Sequence, residues 1–169
     1  MPVEPAWRTV LRQIGAALNT AGIPYAVVGG ASAALHGVPV PVKDIDIQTT
    51  KEGAHRFAEI FAAYNVVPVT LSDNGAYRSH FGRFSFDGVD VEVMGDQERW
   101  QNGSWVDTMA STRETVDLNG EPVVVSWLEE EVLADIRRGR LERAALLLPH
   151  CDRDRLLALL RGEVKTNVL

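Results

Sequence analysis

The chain has 169 residues, which corresponds to one domain that is long enough to bury its own core. Its composition, 46% hydrophobic and 24% charged, excludes a disordered, collagen-like or coiled-coil protein. With 17 Lys and Arg against 23 Asp and Glu, the net charge of -6 disfavours nucleic acid as a partner without excluding it, because phosphate neutralisation dominates that affinity.

Cysteine content and hydropathy predict the compartment. The single cysteine, Cys151, excludes an internal disulfide and a cysteine-rich zinc site. The first residues carry no basic segment followed by an apolar stretch, and no window approaches the ~20 apolar residues that a membrane span needs. We therefore expect a cytoplasmic protein without a membrane partner.

The first half of the chain alternates between helical and strand patterns. Helical spacing of apolar residues over 7–18 predicts an opening helix, which Gly22 ends. The apolar run 25–28, two glycines and an alanine-rich stretch over 31–36 predict a strand, a turn and a short helix. A second strand and helix are predicted over 44–47 and 52–64.

The next part of the chain predicts mainly strands. The β-branched run 66–71 predicts one strand, and 81–86 with 89–93 predict a hairpin around Asp87-Gly88, a dipeptide suited to a type I′ turn. A polar stretch follows, in which we expect Trp100 and Trp105 to close a loop over the core rather than line a pocket. A last strand is predicted over 122–126.

Helical patterns dominate the C-terminal part. Leu128, Val132 and Ile136 lie on one predicted helix stripe, and 141–148 and 156–160 predict two further helices. We expect an α/β (α+β) fold in which residues 1–126 form the core, with a small mixed sheet and flanking helices. Residues 127–169 are expected to form a C-terminal helical segment of the same domain.

Two carboxylates dominate the candidate chemistry. Successive side chains of a strand point to opposite faces, so Asp44 and Asp46 share one face and Ile45 and Ile47 the other. Adjacent carboxylates repel each other unless a cation relieves them. Mg²⁺ takes oxygen ligands and is often held by one or two carboxylates plus substrate phosphates. A solvated edge strand is the alternative interpretation of the Asp-x-Asp pattern alone.

A glycine turn precedes these aspartates. Gly29 and Gly30 stand between the predicted strand and helix, where glycine permits close backbone approach and a helix start offers N–H groups to phosphate. Ser32 could add a hydroxyl to a phosphate site, or could only cap the helix. The pattern is neither a Walker loop nor a G-x-G-x-x-G motif.

The string VVGGASAALHGVPVPVKDIDIQ, with SHFGRFSFDGVDVEVMGD further on, resembles minimal nucleotidyltransferases of the DNA polymerase beta superfamily. The resemblance extends from about Val10 to about Arg143. It implies a nucleotidyltransferase-like fold in which Asp44 and Asp46 hold Mg²⁺, or Mn²⁺, against a nucleoside triphosphate such as ATP. It also implies a third carboxylate on a neighbouring strand, for which we expect Glu92, with Asp90 as second choice.

Other polar residues are weaker candidates for substrate binding. The resemblance implies a basic residue near the triphosphate, and among Arg137, Arg138, Arg140 and Arg143 we expect Arg137. These arginines could equally complement the helix dipole opposite Glu129, Glu130 and Glu131. His80 could face the site or be structural.

These observations lead to a primary prediction and two alternatives. The primary prediction is Mg²⁺-dependent transfer of a nucleoside monophosphate from a triphosphate to an acceptor hydroxyl. The first alternative is an inactive nucleotide-binding or antitoxin-like partner module. The other is a metal-dependent phosphohydrolase. Because only about forty residues follow Ser126, we expect that a homodimer or a partner protein could complete the acceptor site.

Overall fold

A mixed β-sheet forms the centre of the protein in the computed structural model, which describes residues 4–164. The helices are α1 (Ala6–Ala21), α2 (Gly29–Leu35), α3 (Lys51–Ile60), α4 (Leu128–Arg137), α5 (Leu141–Leu147) and α6 (Arg153–Leu160). The strands are β1 (Tyr25–Val28), β2 (Asp44–Thr49), β3 (Asn65–Asp73), β4 (Tyr77–Phe86), β5 (Val89–Gln101), β6 (Ser104–Asp107), β7 (Glu114–Leu118) and β8 (Glu121–Val125). Short 3-10 turns lie at Ala62–Tyr64 and Leu148–His150.

The strand order along the sheet is β3-β4-β5-β2-β1-β8-β7, with β6 pairing on the extended end of β5. Two of the pairings are parallel, β2 with β5 and β1 with β8, and the other pairings are antiparallel. The predicted mixed sheet with flanking helices is confirmed. The parallel pair β2 and β5 lies in the middle of the order and carries the candidate carboxylates.

One face of the sheet is packed and the other contributes to a cavity. Ile45 and Ile47 are fully buried in a core cluster that includes Ile14 of α1 and Phe57 of α3. Because strand side chains alternate, the aspartates between these isoleucines point to the opposite face. A second apolar cluster joins α2 to α4 and α5 and includes Ala33, Val132 and Leu147.

The structure confirms the predicted hairpin and corrects several predicted boundaries. The turn residues Asp87 and Gly88 have φ of 51° and 89°, as a type I′ turn requires. The expected helix over 52–64 ends at Ile60, and its last residues form a 3-10 turn. Ile136, predicted on the apolar stripe, is 48% exposed. Neither β6 nor β7 is among the predicted strands, although Asn-Gly turns join β5 to β6 at Asn102-Gly103 and β7 to β8 at Asn119-Gly120.

The predicted C-terminal segment, 127–169, is described as far as residue 164. It begins directly after Ser126, whose backbone N–H donates to the carbonyl of Val27 at 3.0 Å. The helix α4 packs on α2, so this segment covers the end of the sheet at which the glycine turn lies.

Candidate active site

Three carboxylates meet where β2 and β5 run side by side. The parallel register places Asp44 opposite Asp90 and Asp46 opposite Glu92. Asp44, Asp46 and Glu92 all line a cavity of about 1030 Å³. Asp90 is exposed and does not line that cavity. The structure therefore brings together the three acids that the sequence favoured and leaves the second choice outside.

Asp46 is the carboxylate whose environment most opposes ionisation. Its pKa is raised from 3.8 to about 7, chiefly by burial and then by the charges of Asp44, Glu92 and Glu131. Arg138 acts in the other direction and lowers it. A bound cation would relieve the same repulsion, because it favours the charged form of each carboxylate.

The glycine turn closes directly onto this carboxylate. Gly29 has φ of +71°, and a Cβ atom at this position would lie 2.6 Å from Oδ2 of Asp46. Gly30 also lines the cavity, and a Cβ there would make only ordinary contact with the Pro41 carbonyl oxygen at 3.6 Å. A side chain at position 29 would therefore displace the Asp46 carboxylate, so glycine is required here for both its conformation and its size.

Ser32 does not reach the cavity. Its side chain is fully buried, and its Oγ lies 3.1 Å from Oγ of Ser126 and 3.4 Å from the Ser126 carbonyl oxygen. The hydroxyl expected at a phosphate site thus connects α2 to the end of β8.

Arg83 orients the third carboxylate. It lies on β4 directly opposite Glu92, and its Nη2 and Nε donate to Oε1 of Glu92 at 2.8 and 3.2 Å. Asp46, Glu92 and Arg83 therefore form a continuous row across three neighbouring strands. Both hydrogen bonds from Arg83 go to Oε1 of Glu92, so Arg83 does not contact the second carboxylate oxygen, Oε2.

The donor set fits a hard divalent cation. Asp44 and Asp46 offer only oxygen ligands, and Mg²⁺ commonly binds through one or two carboxylates plus water and substrate phosphates. Within residues 4–164, no three His, Cys, Asp or Glu side chains are spaced to hold a metal ion by themselves. The arrangement therefore fits an ion that the substrate helps to hold better than a permanent structural metal.

The side of the cavity formed by the end of α4 and the start of α5 carries four arginines, here called the arginine wall: Arg137, Arg138, Arg140 and Arg143. The lining therefore does not single out Arg137, the expected residue, from its neighbours. Nε of Arg143 lies 3.0 Å from Oδ2 of Asp135, and Nη2 of Arg143 is 4.0 Å from a Cβ built at Gly30. Arg143 thus stands closest to the glycine turn.

His80 lies away from the carboxylates. It contacts His55 of α3, with ring centroids 5.6 Å apart, and it does not line the cavity. Burial, the first cause, and the charge of Lys51 lower its pKa. The histidine belongs to the packing between β4 and α3, and we do not include it in the proposed site.

Glu131 lines the cavity but was not among the site residues predicted from the sequence. Glu131 is buried, accepts a hydrogen bond from Oγ of Ser126 at 2.8 Å and has its pKa raised to about 7, mainly by burial. In the sequence, Glu131 is part of the run Glu129, Glu130 and Glu131, which indicated only that acidic side chains complement the dipole at the start of a helix. A hydrogen bond from the Gly29 backbone opposes that rise, so Glu131 also supports the glycine turn.

Gln97 and Arg99 also line the cavity without having been predicted as site residues. Glu92 and Met94 line the cavity, and strict alternation would continue with residues 96 and 98. The register instead shifts from His80 opposite Gly95 to Arg78 opposite Glu98, so three residues of β5 span two of β4. This β-bulge, with Asp96 at φ of 47°, turns Gln97 and Arg99 to the cavity.

Trp100 and Trp105 face each other across the β5-β6 hairpin, with ring centroids 5.3 Å apart, and the Arg78 guanidinium lies 4.5 Å from the Trp105 ring. Neither tryptophan lines the cavity. The expected loop over the core is instead a β-hairpin on which Trp100 is 50% exposed, and neither tryptophan belongs to a core cluster.

The chain matches the family model described as aminoglycoside-2″-adenylyltransferase over residues 10–145. It belongs to this family. A nucleotidyltransferase-family protein of known structure from Thermotoga maritima is 36% identical, with a TM-score of 0.77 over 88% of this chain and 94% of that one. No match is found among curated proteins.

More distant structures share the adenylyltransferase fold of this chain. The solution structure of the antibiotic-resistance factor ANT(2″)-Ia is 12% identical, with a TM-score of 0.61 over 95% of this chain and 94% of that one. The lincomycin-bound lincosamide adenylyltransferase LnuA is 9% identical, with a TM-score of 0.52 over 76% and 84%. Family and fold together support nucleotide transfer. Among the described residues of this adenylyltransferase-family protein, no helix is long and apolar enough to cross a membrane.

Proposed function

We propose that the protein transfers the adenylyl group of ATP to an acceptor hydroxyl in a Mg²⁺-dependent reaction. The observation that carries this proposal is that Asp44, Asp46 and Glu92 line one cavity, in which the glycine turn leaves no room for a Cβ beside Asp46. Asp44 and Asp46 would hold the metal, and Glu92 would serve as the third carboxylate. Mg²⁺ would supply charge neutralisation at the triphosphate and a fixed geometry for in-line displacement.

The residues of the chain perform complementary tasks in this reaction. The acceptor oxygen attacks the α-phosphorus, a new O–P bond forms, and the bond from the α-phosphorus to the bridging oxygen of pyrophosphate breaks. Glu92, oriented by Arg83, takes the proton of the acceptor hydroxyl. Positioning and electrostatic stabilisation provide most of the catalysis in phosphoryl-type transfer.

The arginine wall stabilises the charge that develops on the leaving group. Arg143 stands beside the glycine turn and Arg137 lines the same wall, so pyrophosphate leaves toward guanidinium groups. A planar guanidinium can donate two parallel hydrogen bonds to phosphate oxygens, which a lysine ammonium cannot do in the same way.

A transfer assay tests this proposal. The protein is incubated with ATP labelled at the α-phosphate, with Mg²⁺ or with EDTA, and with a panel of hydroxyl compounds that includes tobramycin and lincomycin. We expect pyrophosphate and a labelled adduct in equal amounts, dependent on Mg²⁺. Asp46→Asn should lose about 100- to 1000-fold in rate, because a single electrostatic group at the reacting centre contributes that much.

The products separate the proposal from its alternatives. Labelled AMP or inorganic phosphate without any adduct would indicate hydrolysis instead. Binding of ATP without any product would indicate the inactive nucleotide-binding module. Full transfer in Asp46→Asn would contradict the assignment of the metal site.

A further inference from the structure

The end of the cavity away from the glycine turn, here called the far end, is defined by Tyr77, Gln97, Arg99, Thr108 and Arg138. All five residues line the cavity. The Arg138 guanidinium lies 5.5 Å from the centre of the Tyr77 ring, and Arg99 is the register partner of Tyr77 on the neighbouring strand. Two cationic side chains therefore flank one aromatic ring.

The floor of the far end is held rigidly. Gln97 Oε1 accepts hydrogen bonds from Nε2 of Gln48 and Oγ1 of Thr108, each at 3.2 Å. Oε1 of Gln48 in turn accepts the backbone N–H of Ala110 at 2.8 Å. A fixed floor keeps Arg99, two residues further along β5, directed into the cavity, which is what a preorganised subsite requires.

The acids of the cavity outside the metal site are engaged within the chain. Oε1 of Glu130 accepts from the backbone N–H of Ser111 at 2.9 Å and from the hydroxyl of Ser111. Glu131 accepts from Ser126, and Asp135 pairs with Arg143. An acceptor with several ammonium groups would have to displace these contacts to find a carboxylate.

The basic residues of the cavity show the opposite pattern. Among the described residues, no carboxylate lies within ion-pair distance of five cavity side chains: Lys43, Arg99, Arg137, Arg138 and Arg140. Arg137 and Arg140 continue the wall beside Arg143, where the triphosphate is proposed to bind. Arg99 lies seven residues beyond Glu92 on β5, away from the proposed triphosphate site. The charge of Arg138 also acts on Asp46, but its guanidinium lies at the Tyr77 ring, next to which Arg99 pairs.

From this distribution we infer that the far end binds a negatively charged group of the acceptor, and that the acceptor is a small hydroxyl compound that carries a phosphate. Arg99 and Arg138 would donate to the phosphate, and Tyr77 would pack against the carbon skeleton next to it. The inference rests on the proposed adenylyl transfer and names its acceptor class. A small anion fits better than a nucleic acid, because the whole protein carries a net charge of -6.

The test uses the full chain saturated with Mg²⁺ and α,β-methylene-ATP, an analogue whose scissile bond cannot break. Glycerol 3-phosphate, inorganic phosphate, glycerol and tobramycin are titrated at constant ionic strength, and the melting temperature reports binding. We expect both phosphates to stabilise the complex, and glycerol and tobramycin to leave it unchanged. In Arg99→Gln the apparent dissociation constant of glycerol 3-phosphate should rise about tenfold, because a charge-assisted hydrogen bond is lost.

Arg161→Gln is the matched control, since Arg161 is exposed, lies outside the cavity and changes the net charge equally. It should bind glycerol 3-phosphate like the wild type. Equal binding by Arg99→Gln and wild type, or stabilisation by tobramycin but not by the phosphates, would overturn the inference. Stabilisation by a short single-stranded RNA but not by glycerol 3-phosphate would overturn it in favour of a nucleic-acid acceptor. Failure of the ATP analogue to stabilise the wild type would refute the proposed function itself, a distinguishable result.

Discussion

The two ends of the cavity differ in charge and in how the chain builds them. At the glycine-turn end, strict strand alternation on β2 and β5 places Asp46 and Glu92 side by side. At the far end, a β-bulge interrupts that alternation and turns Arg99 inward beside Arg138. Regular pairing creates the carboxylate end, suited to a cation, and an irregularity in the same strand creates the basic end, suited to an anion.

The largest predicted effect after that of Asp46→Asn concerns the choice of carboxylate on β5. Glu92→Gln should lower kcat by about 100-fold or more, because the variant keeps the shape of the side chain but can neither take a proton nor stabilise positive charge. Asp90→Asn, on the same strand face but outside the cavity, should stay within about twofold of wild type. Steady-state kinetics with ATP and Mg²⁺ measure both. Equal losses in the two variants would show that the cavity boundary does not select the catalytic acid.

The repulsion at the carboxylate end predicts a pH-dependent stability. The pKa of Asp46 is about 7 in the folded protein against 3.8 ordinarily, so between about pH 4 and 7 the unfolded chain loses this proton first. Without metal, the free energy of unfolding should therefore fall as pH rises through that window, by about 2 to 4 kcal/mol. Asp46→Asn should reduce the fall to the part contributed by Glu131, whose pKa is also raised to about 7, and should be more stable than wild type above pH 7.

Urea unfolding at several pH values measures this dependence, with EDTA present. Asp90→Asn is the control and should keep the wild-type slope, because that carboxylate is exposed. Addition of Mg²⁺ at pH 8 should stabilise the wild type more than Asp46→Asn. A wild type whose stability is independent of pH from 4 to 7 would show that the folded protein does not hold Asp46 protonated in that range.

The glycine turn provides the next test. Gly29→Ala should lose about 1 to 3 kcal/mol of stability and most of its activity, since its Cβ would lie 2.6 Å from Oδ2 of Asp46 and its φ is +71°. Gly37→Ala is the matched control, because Gly37 has φ of +83° but nothing within 4 Å of a Cβ. Gly37→Ala should lose only about 1 kcal/mol of stability, because alanine disfavours a positive φ, and should keep the wild-type kcat. Thermal unfolding and steady-state kinetics of Gly29→Ala and Gly37→Ala distinguish the cost of the positive φ, which both variants share, from displacement of Asp46, which only Gly29→Ala causes.

The smallest effect is expected at the bulge. Asp96 adopts φ of 47°, so Asp96→Gly should leave the stability within about 1 kcal/mol of wild type, whereas Asp96→Val should lose about 1 to 2 kcal/mol. Any movement of the bulge in Asp96→Val should weaken binding at the far end before it affects nucleotide binding at the glycine turn. Melting temperatures and separate titrations of the two ligands check this. Equal stability of the two variants would show that the positive φ imposes no constraint.

The parts of the site that could be predicted depend on local sequence. Asp44 and Asp46 alternate with buried isoleucines, and the Asp87-Gly88 turn fixes which residues of β5 face the same way. Arg99 could not be predicted, because the bulge before it reverses the alternation and depends on pairing with β4. Glu131 contacts Ser126, five residues earlier, but its burial also depends on the glycine turn, which is distant in sequence.

The strand β7 and the exposure of Ile136 were also not predicted from the sequence, because both depend on contacts with other parts of the chain. The strand β7, Glu114–Leu118, pairs with β8 through a tight Asn-Gly turn, but its mixed polar pattern gives little local signal. Ile136 is on the predicted stripe yet exposed, because α4 packs mainly through Leu128 and Val132. Local spacing predicts that a helix forms, whereas the surrounding chain determines which of its residues are covered.

Nucleotide binding by the carboxylate end is the central claim, and a thermal-shift panel tests it most directly. ATP, GTP, CTP and UTP are each added with and without Mg²⁺ to wild type and to Asp46→Asn, and the shift is read relative to each protein alone. A ligand at a hundred times its dissociation constant adds about 2.7 kcal/mol of stability. We expect a Mg²⁺-dependent shift in melting temperature with ATP in the wild type, and no such shift in Asp46→Asn. Absence of any shift in the wild type, or an equal shift in Asp46→Asn, would contradict it.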